Sequence, residues 1–239
     1  MGVEEGRRER EKVTPEWTVI ESLQATPYNQ DLTVERRIPR WWWAAKRVMD
    51  ITVATGVLVM ASPVMLLAAL AIAVASPGKP IFLQTRVGKN GKEFSLFKFR
   101  TMEDGAHLLH DQVRHLNEVD GPVLKIRNDP RLHPLGAFLR RTSIDELPNF
   151  INVLLGEMSV VGPRPPLPCE VEHYDSYAMR RLVVKPGVTC LWQINGRSTV
   201  SFEHWMALDN EYIDSWNPLT DLALIAKTVP AVIRGIGAH

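Results

Sequence analysis

ITVATGVLVMASPVMLLAALAIAVA, residues 51 to 75, is a run of twenty-five residues without a charge, interrupted near its middle by Ser62-Pro63. An apolar run of this length meets the criterion for a helix crossing a hydrocarbon core roughly 30 Å thick. Pro63 complicates a simple span. It has no N–H to offer the Val59 carbonyl four residues earlier, and its ring crowds that turn. The arms on either side, 51–61 and 64–75, would each be roughly 16 to 18 Å long at about 1.5 Å per residue, or half of the apolar thickness. Cations flank both ends: Arg36, Arg37, Arg40, Lys46 and Arg47 before the run, Lys79, Arg86, Lys89 and Lys92 after it. The positive-inside rule therefore puts both ends on the cytoplasmic side. Two readings fit these facts, a kinked spanning helix and a helix-break-helix hairpin that dips in and returns, with the Ser62 hydroxyl serving a freed backbone group. The run starts late and lacks a small-residue cleavage pattern, which argues against a secretory signal.

At 239 residues, with 45% hydrophobic and 23% charged residues, the chain has enough material for one sizeable core beyond the apolar run. A formal net charge of +1 argues against a nucleic-acid binder working through bulk basicity. Cys169 and Cys190 have neither C-x-x-C spacing nor a zinc-finger histidine pair, so they read as buried free thiols. His107 and His110, near Asp111 and Glu118, suit an ordinary solvated helix as well as a metal site.

The chain divides into a polar extension over residues 1–35, which is too poor in apolar residues to build a core, an interfacial and membrane segment over 36–78, and a catalytic-sized domain over 79–239. Trp41, Trp42 and Trp43 beside Arg40 mark the headgroup region. Asp50 is expected to pair with Arg47 one turn earlier. The runs Ile81 to Gln84 and Glu93 to Met102, joined by Asn90-Gly91, predict a β-hairpin. Its second strand puts Phe97 and Phe99 on one face and the cations Lys98 and Arg100 on the other. Helices are expected at 103–118, from Gly136 to Arg141, at 202–214 and at 221–234, with a polar loop over 119–133. The last helix carries Leu222, Ile225, Val229, Val232 and Ile233 largely on one side, for the core or for a bilayer surface. The resulting fold class is α+β, mostly helical with a small β-hairpin.

Arg140-Arg141-Thr142-Ser143-Ile144-Asp145-Glu146-Leu147-Pro148 sets two adjacent carboxylates after two arginines. Ser143 and Glu146 match a capping box, so helix capping alone accounts for the carboxylates at this point. Val161-Gly162-Pro163-Arg164-Pro165-Pro166 reads as a rigid loop presenting one guanidinium. Lys185-Pro186-Gly187-Val188-Thr189 and Trp192-Gln193-Ile194-Asn195-Gly196-Arg197 repeat the theme of turn residues carrying cations and amides.

The ordered set Ser62-Pro63, Lys98-Phe99-Arg100-Thr101-Met102, Ser143-Ile144-Asp145-Glu146-Leu147, Val161-Gly162-Pro163-Arg164-Pro165 and Lys185-Pro186-Gly187-Val188-Thr189 resembles the bacterial sugar transferase family, the monotopic phosphoglycosyl transferases. The resemblance runs from about Lys46 to the C-terminus. It implies a re-entrant hairpin broken at Ser62 and Pro63, and a monotopic enzyme on the cytoplasmic face of the bacterial inner membrane. It also implies transfer of a sugar 1-phosphate from a nucleotide sugar, a UDP-hexose or UDP-N-acetylhexosamine, to a polyprenyl phosphate such as undecaprenyl phosphate. UMP would be released with magnesium as cofactor, initiating exopolysaccharide assembly, and a homodimer would be compatible. Asp145 falls on the family's nucleophile. Glu146 is read as the Mg2+ ligand, with proton carriage and helix capping as alternatives. Lys98, Arg100, Arg140, Arg164 and Arg197 are read as the phosphate-binding cations. Cys190, where many family members have glycine, is expected to be a packed thiol. The rival from another class is a non-catalytic, membrane-anchored scaffold, which would not need an intact dyad and cation set. A glycosyltransferase that leaves the phosphate behind would release UDP instead.

Overall fold

The computed structural model describes residues 38–118, 121–124, 126, 128–194 and 201–233, with the side chains of His107, His110, Asp111, Ile194, Val229 and 231–233 left aside. The extension over 1–35, Arg36, Arg37 and Arg197 lie outside the described residues, as do most of the side chains expected to form one face of the last helix.

The apolar run lies in one helix, α1, Arg40–Ala75, which continues through Pro63 where a break was expected. Ser62 supplies the compensation: its hydroxyl donates to the Val59 carbonyl at 2.8 Å, the acceptor that proline deprives of an N–H. Only 11% of the most apolar part of α1 is buried. The buried positions fall in two groups at helical spacing, Lys46, Asp50 and Ala54 near the start and Ala68 and Ile72 near the end, followed by Ser76 just past the helix. No residue between Ala54 and Ala68 is buried. Both ends of α1 therefore rest on the folded domain, and its middle does not.

Each end is held by polar bonds. Arg47 donates to the carbonyls of Val153 and Leu154 at 2.7 and 2.8 Å. Asp50, expected to pair with Arg47, instead accepts from the Ser159 hydroxyl and the Val160 N–H at 2.8 and 2.9 Å. Among the described residues, backbone and hydroxyl donors satisfy this carboxylate without an ion pair. At the far end, Arg100 donates to the Pro77 and Ser76 carbonyls, each at 2.6 Å, and the Ser76 hydroxyl donates to Glu103 at 2.8 Å.

The hairpin forms as expected from β1, Ile81–Val87, and β2, Glu93–Phe99, antiparallel with Phe82 opposite Lys98 and Arg86 opposite Phe94. Asn90 takes the left-handed conformation at the turn, with φ 58°, a region open to asparagine at modest cost. Residues 103–118 break up, in contrast, into short helical segments at Ala106–Leu109, His110–Val113 and Arg114–Leu116. Next come α2, Gly136–Arg141, and α3, Asn149–Leu155.

The two proline-glycine loops prove to be partners. β3, Ser159–Val161, lies parallel to β4, Gly187–Thr189. Gly162 N–H donates to Thr189 O at 3.0 Å and Gly187 N–H to Pro163 O at 2.8 Å. A Cβ on Gly187 would stand 2.1 Å from the Gly162 nitrogen, and one on Gly162 would stand 2.5 Å from the Lys185 carbonyl oxygen. These glycines allow two backbones to touch, a reason sufficient in itself for their presence.

The chain closes with α4, Phe202–Ser215, and α5, Pro218–Ile233. Leu224 of α5 joins the main core with Ala54, Leu96, Val153, Val160 and Trp216, whereas Leu222 is exposed. A buried polar knot fixes these helices to α1. Lys46 Nζ meets Asp221 at 2.6 Å and donates to Val161 O at 3.0 Å. Tyr212 and Trp216 both donate to the same carboxylate, at 2.8 and 3.0 Å. Gly187→Ala is expected to destabilise the protein by about 3 kcal/mol, the scale of backbone overpacking. Thermal unfolding in detergent checks this, through a clear drop in Tm relative to an exposed control such as Ala226→Ser.

Candidate active site

Asp145 and Glu146 lie on a 3-10 turn, Ile144–Glu146, between α2 and α3. The capping box read from the sequence does not form. Ser143 makes no side-chain cap and sits in the left-handed region at φ 56°, ψ 17°. A non-glycine residue in that region costs on the order of 1 kcal/mol. The strain follows from how α2 stops: the Thr142 hydroxyl returns to the Phe138 carbonyl at 2.8 Å, and Ser143 turns the chain out of the helix. Ile144 drops into an apolar cluster with Ala68 and Ile72 of α1 and with Phe99 and Leu139. The turn that bears the dyad is thereby seated on a cluster that includes the end of the apolar helix.

Asp145 is buried, at 7% exposure, and forms no ion pair with another described residue. Burial raises its carboxyl from 3.8 to about 6, the Lys98 charge opposing most strongly, Glu146 adding to the rise and Arg140 opposing it. Lys98 Nζ meets Glu146 Oε1 at 3.1 Å, and the Glu146 side chain keeps 35% exposure. Arg140 donates from Nε to the Thr101 hydroxyl at 3.2 Å. Its pKa is lowered chiefly by burial, with Asp145 opposing.

The other expected cations are distributed differently. Arg100 is turned towards the carbonyls that end α1, so the strand face expected to present two cations together presents Lys98 to the dyad and Arg100 to the helix. Arg164 pairs with buried Glu170 at 3.1 Å and lies 5.6 Å over the Trp205 ring. Its carbonyl accepts from Arg181 at 3.0 Å, and Arg181 is itself paired with Asp209 at 2.7 Å, both side chains 1% exposed. Arg86, which the sequence reading assigned only to the membrane flank, links the two regions. It donates to the Pro165 carbonyl at 2.9 Å and to Gln84 at 2.6 Å, and its charge interacts with Arg164, Glu170 and Glu146. Burial first and Arg164 second lower its pKa to about 9, which leaves it charged at neutral pH. The signal was available: a hairpin turning at Asn90 puts Arg86, Gln84 and Lys98 on one face.

Among the described residues, no three His, Cys, Asp or Glu side chains are grouped to hold a metal ion. The partly exposed Glu146 carboxylate is a hard oxygen donor that fits Mg2+ with waters completing its shell. Cys190 is packed as expected, its Sγ 3.3 Å from Gln193 Oε1, and burial pushes its thiol well above the ordinary value. Cys169, expected to be buried, is exposed.

The model of the family described as bacterial sugar transferase matches residues 41–235. The chain belongs to that family. Exopolysaccharide production protein ExoY of Rhizobium meliloti is 41% identical over 199 residues, 82% of this chain and 88% of the relative. Galactosyl transferase CpsE of Streptococcus agalactiae is 43% identical over 196 residues, 81% of this chain and 43% of the relative. UDP-glucose:undecaprenyl-phosphate glucose-1-phosphate transferase of Escherichia coli is 42% identical over 194 residues, 77% of this chain and 39% of the relative. The chain thus spans nearly all of one relative and less than half of the other two. The match takes in all of α1 but its first residue, and the hairpin, the dyad turn and the β3–β4 pair.

The raised Asp145 value carries a sign that can be measured. A carboxyl raised from 3.8 to about 6 in the folded state favours folding below the lower value and loses that contribution as pH rises through the higher one. Asp145→Asn is therefore expected to melt above the wild type at pH 8, by about 1 to 3 kcal/mol in stability, with the difference shrinking towards pH 4. Tm against pH for the two proteins tests this.

Proposed function

We propose that the protein is a polyprenyl-phosphate hexose-1-phosphate transferase, acting from the cytoplasmic face of the bacterial inner membrane and initiating exopolysaccharide assembly. The observation that carries the reading is a buried carboxylate, Asp145, with no ion pair among the described residues, held in the field of Lys98 and Arg140 on a strained turn packed against the apolar helix. Perturbed carboxylates in a cationic setting are candidates for catalysis. The names of the relatives, among them an undecaprenyl-phosphate galactose phosphotransferase of Salmonella typhimurium that is 39% identical over 246 residues, support the same class.

In this reading an Asp145 oxygen attacks the sugar-bearing phosphorus of a UDP-sugar. The Asp–phosphorus bond forms, the bond to the bridging oxygen breaks, and UMP leaves with the electron pair. A phosphate oxygen of polyprenyl phosphate then attacks the same phosphorus and restores the carboxylate, giving a polyprenyl diphosphate sugar. Covalent capture divides one exchange into two easier steps. Lys98 and Arg140 hold Asp145 ionised and face the incoming phosphates, while Arg86 and Arg164 extend the positive field along the hairpin. Magnesium, held by Glu146 and the donor's own oxygens, would supply charge neutralisation on the diphosphate.

The membrane geometry proposed is re-entrant. Supporting it, polar groups of one folded body bond α1 at Arg47 and Asp50 and again at Ser76 and Pro77. A span would set those two sets of bonds on opposite sides of the bilayer. Cysteines introduced at positions 20 and 110 should both escape labelling from outside intact cells, and labelling at only one site would mean a span.

Detergent-solubilised protein with a UDP-sugar, undecaprenyl phosphate and magnesium is expected to release UMP, and Asp145→Asn to reduce turnover by more than about a thousandfold, the scale of losing a covalent nucleophile. Turnover should rise with pH through about 6 as Asp145 ionises. Release of UDP, or unchanged turnover in the variant, would contradict the mechanism. A panel of UDP-glucose, UDP-galactose and UDP-N-acetylhexosamines identifies the sugar.

A further inference from the structure

Three cations gather at the start of α1. Arg47 donates to the Val153 and Leu154 carbonyls at the end of α3, which occupies two of its N–H groups and leaves others over. Lys185, from the loop that leads into β4, has no such bond: its ammonium makes no hydrogen bond or ion pair with another described residue. The two side chains meet over Gly156, the left-handed residue that ends α3. A Cβ there would stand 3.6 Å from Arg47 Nη2 and 3.6 Å from Lys185 Nζ. Lys89, at the tip of the hairpin, adds a third charge, 5.6 Å from the centre of the Trp43 ring.

The carboxylates nearby are engaged elsewhere. Burial first and Arg47 second lower the Lys185 pKa, with Lys89 and Lys46 adding and Asp50 opposing. Asp50 is buried and already accepts from Ser159 and Val160. Asp221 is matched by Lys46, and Glu157, next to Gly156, accepts from Asn152 at 2.7 Å. The carbonyls that end α3 account for Arg47, but Lys185 bonds none of them. Like charges held together disfavour one another, and an anion from outside the chain would relieve them.

The side chains around the cations select the anion. Trp43, Arg47 and Ile51 follow one another at four-residue steps, about 6 Å each, along one side of α1. Trp43 stacks on Trp216 with ring centres 4.6 Å apart and stays partly exposed, an amphipathic ring of the kind found at headgroup level. Ile51 and, beside Gly156, Leu155 are exposed. Towards the apolar run the order is therefore aromatic, cation, aliphatic, the order in which a phospholipid presents headgroup, phosphate and acyl chain. A free phosphate or a nucleotide gains nothing from an exposed isoleucine and leucine. The charges that act on Lys185 and those that act on Asp145 share no member, and the dyad turn is seated at the other end of α1, on Ala68 and Ile72.

We propose that Arg47, Lys185 and Lys89 hold the phosphate of an anionic membrane phospholipid at the start of α1, with Trp43 at its headgroup and Ile51 and Leu155 along its acyl chains. This inference rests on α1 entering a bilayer at this end, which the spanning and re-entrant readings share, and not on the transferase chemistry.

The test titrates the full-length protein in a non-ionic detergent with phosphatidylglycerol or phosphatidylcholine, read by native mass spectrometry and by Tm. Phosphatidylglycerol is expected to form a one-lipid complex and to raise the wild-type Tm, and phosphatidylcholine to do neither. Lys185→Gln should weaken phosphatidylglycerol binding about tenfold, the scale of one charge-assisted phosphate contact. Without lipid it should melt no lower than the wild type, because a like-charge contact has gone. Lys185→Arg should keep most of the affinity. Lys79→Gln, which removes an exposed charge just past the other end of α1, should bind as the wild type does. Unchanged affinity in Lys185→Gln, or an equal loss in Lys79→Gln, overturns the site. A lower Tm of Lys185→Gln without lipid assigns the lysine to the fold and overturns it too. Displacement of the lipid by inorganic phosphate at the same concentration would make this a free-anion site. Displacement by undecaprenyl phosphate at lower concentration, with a raised acceptor KM in Lys185→Gln, would make it the acceptor's entry, and either result overturns the assignment. A wild-type chain that stays monodisperse without detergent overturns the membrane reading, and the site with it.

Discussion

One folded body grips the apolar helix at both of its ends, and the rest of the structure depends on that double attachment. Lys46 and Asp50 enter the domain through buried bonds to Asp221, Val161 and Val160. Twenty-six residues after Asp50, Arg100 closes over the carbonyls of Ser76 and Pro77. Buried lysine and aspartate are costly unless paired. The knot of Lys46, Asp221, Tyr212 and Trp216 satisfies both charges, and in doing so ties α1, β3, α4 and α5 together. Ser62 lets the helix pass Pro63 without an orphaned carbonyl. The helix is thus long and apolar enough in its middle to cross a membrane and, at each end, part of the core.

The dyad takes its properties from this attachment. Ile144 seats the turn against α1, Ser143 absorbs the strain of leaving α2, and Asp145 is left buried beside two cations without being neutralised by contact. A carboxylate in that condition is costly to the fold, which is expected where chemistry rather than stability decides a position. The cations around it are unequal. Lys98 and Arg140 act on Asp145 directly, and Arg86 and Arg164 form a second group braced by Glu170 and the buried Arg181–Asp209 pair.

Local features were legible in the sequence. The hairpin followed from alternation and Asn90-Gly91, helices were expected close to where α4 and α5 lie, and the Ser62 bond to Val59 followed from the missing proline N–H. What stayed hidden was non-local. Nothing near Lys46 points to Asp221, 175 positions away, and Arg100 reads as a strand cation until the end of α1 is brought beside it. β3 and β4 are three residues each, too short to show a period, and their glycines read as flexible turns although they serve close contact. The capping box at Ser143 and Glu146 shows the reverse error: a local pattern was matched, but the turn that satisfied tertiary packing left no helix there to cap.

The covalent sugar-phosphate intermediate proposed on Asp145 can be observed directly. It is tested most directly by peptide mass spectrometry of the protein incubated with its UDP-sugar and magnesium but no lipid acceptor. One sugar phosphate is expected on the peptide carrying Asp145, lost when undecaprenyl phosphate is added. An adduct on another residue, or UMP released with no adduct on rapid quenching, would contradict it.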